Sequence, residues 1–152
     1  MKKIGIIGGG AMGSGIAQVF AQAGHPVVLF DTNQEALDRS KQNLAKTFDK
    51  LVAKQKYTAE QAQEIQHKIE YADSLSAFAN IDLMIEAIIE NLDIKKSVFK
   101  QVEEIVSDEC ILASNTSSLS IASIASACSN PERVIGIHFF NPAPLMALVE
   151  VI

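Results

Sequence analysis

Residues 3–13 carry the sequence KIGIIGGGAMG, in which a short apolar segment runs directly into a cluster of glycines. Six of the eight glycines of the chain fall between Gly5 and Gly15. The apolar residues 4–7 predict a strand buried on both faces, as the strands of parallel sheets are. Beyond the glycines, apolar side chains recur at helical spacing up to Gly24, and residues 27–30 predict a second buried strand. Strand, glycine turn, helix and strand together form a βαβ unit.

The glycine cluster matches a phosphate-binding pattern. Gly8, Gly10 and Gly13 have the spacing G-x-G-x-x-G between a predicted strand and a predicted helix. Gly8 permits a tight turn, Gly10 lets the backbone approach a pyrophosphate, and Gly13 allows close contact between helix and strand. Ala11 and Met12 open the helix, where free backbone N–H groups attract phosphate oxygens. These five residues are therefore predicted to bind a dinucleotide.

Asp31 supplies the second part of this pattern. It ends the second predicted strand, 18 residues after Gly13. Its carboxylate can accept hydrogen bonds from both hydroxyls of a ribose, whereas it would repel a 2′-phosphate, and no arginine lies immediately beside it. The sequence thus favours NAD over NADP as cofactor. The alternative is a purely structural glycine turn in which Asp31 caps a loop.

The rest of the chain continues the alternation of helical patterns and short apolar segments. A charged helical pattern covers residues 34–56, and apolar segments follow at 69–72, 83–85, 110–113 and 134–140. This order predicts an α/β protein with a Rossmann-type, doubly wound and mostly parallel sheet. With 152 residues, of which 48% are apolar, the chain can bury one core. We expect residues 1–152 to form a single NAD-binding domain.

Charge and composition exclude several other functions. The net charge of −5 argues against a nucleic acid or an anionic membrane as partner. No apolar run approaches the roughly 20 residues of a membrane-spanning helix, and the start of the chain lacks a signal-peptide pattern, so we expect a cytoplasmic protein. Cys110 and Cys128 lack the spacing of metal ligands. We therefore expect free thiols and no metal site.

His138 is the candidate catalytic base. It is the only ionisable residue in the apolar segment 134–140, and Glu150 is the only charged residue in the segment 147–152. If the two segments form an antiparallel hairpin centred on Pro144, residues 138 and 150 become cross-strand neighbours. A carboxylate beside a histidine fixes the tautomer of the ring and stabilises its protonated form, which suits a general base. A buried structural ion pair is the alternative.

Four sequence blocks resemble the NAD-binding domain of the 3-hydroxyacyl-CoA dehydrogenases. They are residues 8–13, residues 86–91 (EAIIEN), residues 114–118 (SNTSS), and residues 138–142 (HFFNP) followed by VEV at 149–151. The resemblance covers essentially the whole chain in the same order. It implies hydride exchange between NAD and an L-3-hydroxyacyl-CoA or 3-ketoacyl-CoA substrate.

The resemblance also implies roles for individual residues. His138 would take the hydroxyl proton and Glu150 would orient the ring. Ser117 would bond the reacting oxygen or the cofactor, and Asn141 would lie beside the nicotinamide. Glu90 and Lys95 match positions that hold the cofactor ribose, while Thr47 and Lys54 match positions that contact coenzyme A.

The family resemblance leaves the substrate and the whole-protein activity open. Residues 138–146 are also similar to members that act on 3-hydroxyadipyl-CoA, so the acyl chain length is undecided. Family members continue into a helical domain that closes the site and forms a homodimer, and this domain is absent from the chain. An isolated domain is expected to have little activity. A non-catalytic NAD- or CoA-binding module is therefore the alternative function, and a dehydrogenase of another 3-hydroxy acid is a third interpretation.

Overall fold

A computed structural model describes all 152 residues and places a seven-stranded sheet at the centre of the molecule. The strand order is β3-β2-β1-β4-β5-β6-β7. The first six strands are parallel and β7 is antiparallel to β6. The strands are β1 (Ile4–Ile7), β2 (Val27–Phe30), β3 (Ile69–Ala72), β4 (Leu83–Glu86), β5 (Ile111–Ser114), β6 (Val134–Phe139) and β7 (Val149–Val151). The predicted Rossmann-type sheet with its antiparallel hairpin is confirmed.

Five α-helices cover the two faces of the sheet. They are α1 (Ala11–Gln22), α2 (Gln34–Ala53), α3 (Ala59–His67), α4 (Leu92–Glu103) and α5 (Ile121–Ala125). One core cluster includes Ile16, Leu37 and Phe48 and lies under α1, α2 and α3. A second cluster includes Phe99 and Ile124 and lies under α4 and α5. The sheet is therefore doubly wound, because each face buries its own layer of helices.

The strand order reverses between β1 and β4, which both pair through their full length. Ile7 lies opposite Glu86 at the carboxyl ends of these two strands. In open α/β sheets, ligands bind in the crevice outside the carboxyl ends of the strands at such a reversal. The glycine loop after β1 and the carboxylate at the end of β4 therefore flank the expected ligand site.

The β6–β7 hairpin has the predicted register but a shorter second strand. His138 pairs with Glu150, as symmetry about Pro144 predicts. The apolar pattern predicted a strand from residue 147, whereas β7 begins at Val149. The backbone N–H groups of Leu145 and Met146 donate to the Pro142 carbonyl, so this part of the chain forms a turn before it reaches β7.

None of the helices combines the length and the apolar character that crossing a bilayer requires. Both cysteines are free, with Cys110 buried and Cys128 half-buried.

Candidate nicotinamide dinucleotide site

The glycine loop is shaped by close contact between β1 and α1. Gly8 has a φ of +116°, a conformation that side-chain-bearing residues rarely adopt. A Cβ atom on Gly13 would overlap the carbonyl oxygen of Gly8, so the helix can approach the strand only with glycine at position 13. Gly10 differs, because a Cβ there would meet no protein atom within 4 Å. Protein packing therefore accounts for glycine at positions 8 and 13, while the space over Gly10 is open to a ligand.

The first turn of α1 offers free hydrogen-bond donors at this opening. Gly10 is the N-cap residue and, as a glycine, has no side chain that could cap the helix. The first intrahelical donor is Ser14, whose N–H bonds to the Gly10 carbonyl at 2.9 Å. The N–H groups of Ala11, Met12 and Gly13 precede it and have no intrahelical acceptor. Open space and free donors at a helix N-terminus fit the pyrophosphate of a dinucleotide.

Asp31 has two hydrogen bonds within the protein at the edge of this loop. Its Oδ2 accepts from the Gly9 N–H at 2.7 Å, and its Oδ1 accepts from the Asn33 N–H at 2.8 Å. The carboxylate thus ties the glycine loop to the start of α2. Each oxygen keeps a further lone pair for a ribose hydroxyl. Both interpretations of Asp31 from the sequence, loop cap and ribose acceptor, are compatible with this geometry.

A cleft beside the N-terminus of α1 brings together most of the predicted catalytic and nicotinamide-binding residues. Its cavity volume is about 290 Å³. We call it the histidine cleft, and the predicted site residues that line it are Met12, Glu90, Lys95, Ser117, His138 and Asn141. The first and last of these residues are more than 120 positions apart in the sequence. They lie close together because they lie at or follow the carboxyl ends of four neighbouring strands of the sheet.

His138 and Glu150 form a direct pair at this cleft. The distance from His138 Nδ1 to Glu150 Oε2 is 2.8 Å. The His138 side chain is 17% exposed and that of Glu150 is 50% exposed. The Phe140 ring packs beside the imidazole, with 4.7 Å between the ring centroids. Because Nδ1 contacts the carboxylate, Nε2 is the ring nitrogen available to a substrate.

Asn115 connects the histidine strand to the loop after β5. Its Oδ1 accepts a hydrogen bond from the Phe139 N–H at 2.8 Å. Asn115 also lines the histidine cleft, two residues before Ser117 in the sequence. The loop that carries Ser117 is thereby fixed relative to His138.

A buried ion-pair cluster forms the floor of the cleft. Lys95 Nζ lies 2.5 Å from Glu86 Oε1 and 3.0 Å from Glu90 Oε1. The side chains of Lys95 and Glu86 are 1% and 0% exposed, whereas that of Glu90 is 44% exposed. Glu86 also accepts from the Ile88 N–H and the Ser114 hydroxyl, both at 2.7 Å. We call Glu86, Glu90 and Lys95 the carboxylate–lysine cluster.

Hydroxyl groups from the loop after β5 complete the shell around Glu90. Thr116 Oγ1 donates to Glu90 Oε2 at 2.6 Å, and Ser118 Oγ donates to the same oxygen at 3.1 Å. Burial by itself would raise the pKa of Glu90, but hydrogen bonds from Thr116 and Lys95 outweigh it and hold this pKa below its ordinary value. Glu90 is therefore ionised at neutral pH.

The positions predicted to contact coenzyme A lie on α2, away from the histidine cleft. A groove of about 590 Å³ runs between α1 and α2, and Gly10, Ala11 and Thr47 line it together with Pro142 and Pro144. Lys54 is not among its lining residues. It is the exposed C-cap residue of α2, two turns beyond Thr47. The structure thus brings Thr47 to the groove but leaves Lys54 at its outer end.

No individual role was predicted from the sequence for Glu86, Ser114, Asn115 or Thr116, although they shape the cleft. Glu86 is the only ionisable residue in its strand, as His138 is in β6. Lys95 is buried on the same face of α4 as Phe99 and Val102. A single ionisable residue in an otherwise buried apolar pattern was the feature of the sequence that could have identified Glu86 and Lys95.

A doubly wound sheet, an open glycine loop at the strand reversal and an acidic residue after β2 define a dinucleotide-binding domain of the dehydrogenase type. Residues 3–152 match the family described as "3-hydroxyacyl-CoA dehydrogenase, NAD binding domain". The chain belongs to this family, and its cofactor is NAD.

Similar proteins extend well beyond the region that the chain covers. A probable 3-hydroxybutyryl-CoA dehydrogenase of Deinococcus radiodurans is 50% identical over 150 residues, which are 99% of this chain and 54% of that protein. A 3-hydroxyadipyl-CoA dehydrogenase of Escherichia coli K12 is 43% identical over all of this chain and 32% of its own length. The crystal structure of a 3-hydroxybutyryl-CoA dehydrogenase from E. coli K12 superposes with a TM-score of 0.96 at 43% identity, covering 99% of this chain and 32% of that one. The chain thus spans about half or less of the relatives it matches.

Proposed function

We propose that the chain is the NAD-binding half of an enzyme that exchanges hydride between NAD and C3 of a 3-hydroxyacyl-CoA. The observation that carries this proposal is the 2.8 Å contact between His138 and Glu150 in a cleft beside the open N-terminus of α1. A proton acceptor and a dinucleotide-binding loop are the two components that oxidation of an alcohol requires. The names of the similar proteins support the acyl-CoA substrate class.

His138 acts as the general base in this proposal. The Glu150 carboxylate keeps the ring proton on Nδ1, so that Nε2 carries a lone pair. Nε2 takes the proton from the C3 hydroxyl, and Glu150 stabilises the resulting imidazolium. When bound at the glycine loop, NAD would supply the acceptor for the hydride of C3. In the opposite direction, His138 returns the proton to the 3-keto oxygen.

The other cleft residues orient the reacting groups. Ser117 hydrogen-bonds the reacting oxygen or the cofactor, and Asn141 lies beside the nicotinamide. Glu90 and Lys95 hold the nicotinamide ribose, while Asp31 accepts from the hydroxyls of the other ribose. These assignments follow the family pattern, and the shared lining of the histidine cleft supports all of them except Asp31, which lies beside the glycine loop.

The groove between α1 and α2 is the proposed path of coenzyme A. Thr47 lines the groove, and Lys54 at its outer end supplies a cation for a CoA phosphate. A helical domain outside residues 1–152 would close the cleft and form a homodimer. The sequence leaves the choice between fatty acyl and 3-hydroxyadipyl substrates undecided, and the cytoplasmic location stays a prediction of the sequence.

A chimera tests the proposed function. The chain is fused to the remaining part of the D. radiodurans relative, and oxidation of NADH is followed with and without acetoacetyl-CoA. We expect oxidation that depends on acetoacetyl-CoA. A chimera that folds and binds NADH but oxidises none would favour a non-catalytic binding module and contradict the enzyme assignment.

A further inference from the structure

The carboxylate–lysine cluster carries a net negative charge at the histidine cleft. Glu86 Oε1 accepts from the Lys95 ammonium and from the Ile88 N–H, which can only donate, and its Oε2 accepts from the Ser114 hydroxyl. Glu86 is therefore a carboxylate. Glu90 is ionised as well, and Lys95 is the only lysine or arginine that lines the cleft. Two carboxylates and one ammonium leave one negative charge uncompensated.

The surroundings of the cluster keep this charge effective and fixed. Glu86 and Lys95 are almost completely buried, so water screens them little. Glu90 lies at the cleft surface, where hydroxyls of the loop after β5 hold its side chain. Glu150 adds a further carboxylate behind His138. A group that enters the histidine cleft therefore meets a negative electrostatic potential.

The two forms of NAD differ in charge mainly at the nicotinamide ring. The ring of oxidised NAD carries a positive charge, and the ring of the reduced form is neutral. The pyrophosphate and the adenosine are identical in both forms, so their contacts cancel when the two affinities are compared. We propose that the carboxylate–lysine cluster is a specificity determinant that favours the oxidised cofactor over the reduced one. This inference rests on the proposed placement of the nicotinamide in the histidine cleft.

Charge-neutralising variants test the inference on the chain alone, without a substrate. The variant Glu90→Gln removes one negative charge at an exposed position, and Glu86→Gln removes one at the buried position. Dissociation constants are measured for NADH by its fluorescence, which no tryptophan disturbs in this chain, and for NAD by competition with NADH. The readout is the ratio of the dissociation constant of NAD to that of NADH.

We expect each variant to raise this ratio by about fivefold or more, because one charge is lost near the cationic ring. Contacts of Glu90 with the ribose affect both forms alike and leave the ratio unchanged. Glu103→Gln is the matched control, since Glu103 is also a largely buried paired carboxylate, but it contacts Arg133 at the C-terminal end of α4 and does not line the histidine cleft. Its ratio should equal that of the parent.

An unchanged ratio in a folded Glu90→Gln variant would overturn the inference, whatever the stability of Glu86→Gln. A parent chain that binds neither form would contradict NAD binding itself, and the inference would fall with it. If the parent binds both forms and the variants leave the ratio unchanged, only the inference fails and NAD binding stands.

Discussion

Two of the paired carboxylates at the histidine cleft, Glu86 and Glu150, lie in opposite surroundings. Glu86 is fully buried, and every one of its contacts comes from the protein. Glu150 is half-exposed on β7, a strand of three residues that are all exposed. The first pair belongs to the framework of the sheet, while the second lies on a hairpin whose outer edge is open. The difference separates residues that the fold requires from residues that only the proposed chemistry requires.

The largest expected effect concerns the stability of these two pairs. Lys95→Ala leaves the Glu86 carboxylate buried without its cation, which should lower the free energy of unfolding by about 3–5 kcal/mol. Glu150→Ala removes a half-exposed partner and should cost less than about 1 kcal/mol. Denaturant unfolding followed by circular dichroism measures both values. Equal losses in the two variants would contradict the distinction between framework and chemistry.

The second prediction applies the same distinction to two glycines of one loop. Gly13→Ala places a methyl group on the Gly8 carbonyl and should destabilise the domain by about 2–3 kcal/mol. Gly10→Ala meets no protein atom, so the domain should keep its stability while the affinity for NADH falls by about tenfold or more. Thermal unfolding and NADH fluorescence measure the two properties. Unaltered NADH affinity in Gly10→Ala would show that the cofactor does not approach this position.

The smallest effect is expected at Asp31, which combines both roles. Asp31→Ala removes its bonds to the Gly9 and Asn33 N–H groups and should cost about 1 kcal/mol of stability. It should also weaken NADH binding and narrow the preference for NADH over NADPH, since the carboxylate that repels a 2′-phosphate is gone. Calorimetric titration with both cofactors gives the preference. Tighter binding of NADPH than of NADH by the parent would contradict the assignment of Asp31.

Local sequence spacing predicted the parts of the site that short-range geometry determines. The G-x-G-x-x-G spacing fixed the turn after β1, because overlap at Gly13 and the positive φ of Gly8 depend only on adjacent backbone. The pairing of His138 with Glu150 followed from symmetry about Pro144, because register in a short hairpin is set by its turn. These features were accessible without knowledge of the rest of the fold.

The carboxylate–lysine cluster depends on contacts that spacing alone does not determine. Glu86 ends β4, Lys95 lies one helical turn into α4, and Ser114 ends the neighbouring strand β5. Their meeting requires both the order of the strands and the docking of α4. Lys95 was predicted as a site residue only through the family resemblance. Its place on the buried side of α4, in line with Phe99 and Val102, indicates that it must find a partner inside the protein.

The proposed function depends most on His138 as the base of a dehydrogenase. The direct test replaces His138 by Gln in the chimera with the D. radiodurans relative and compares turnover of acetoacetyl-CoA with the parent chimera. The account predicts turnover lower by about 10² or more with nearly unchanged affinity for NADH, because only the proton acceptor is lost. Comparable turnover in the variant and the parent would contradict it.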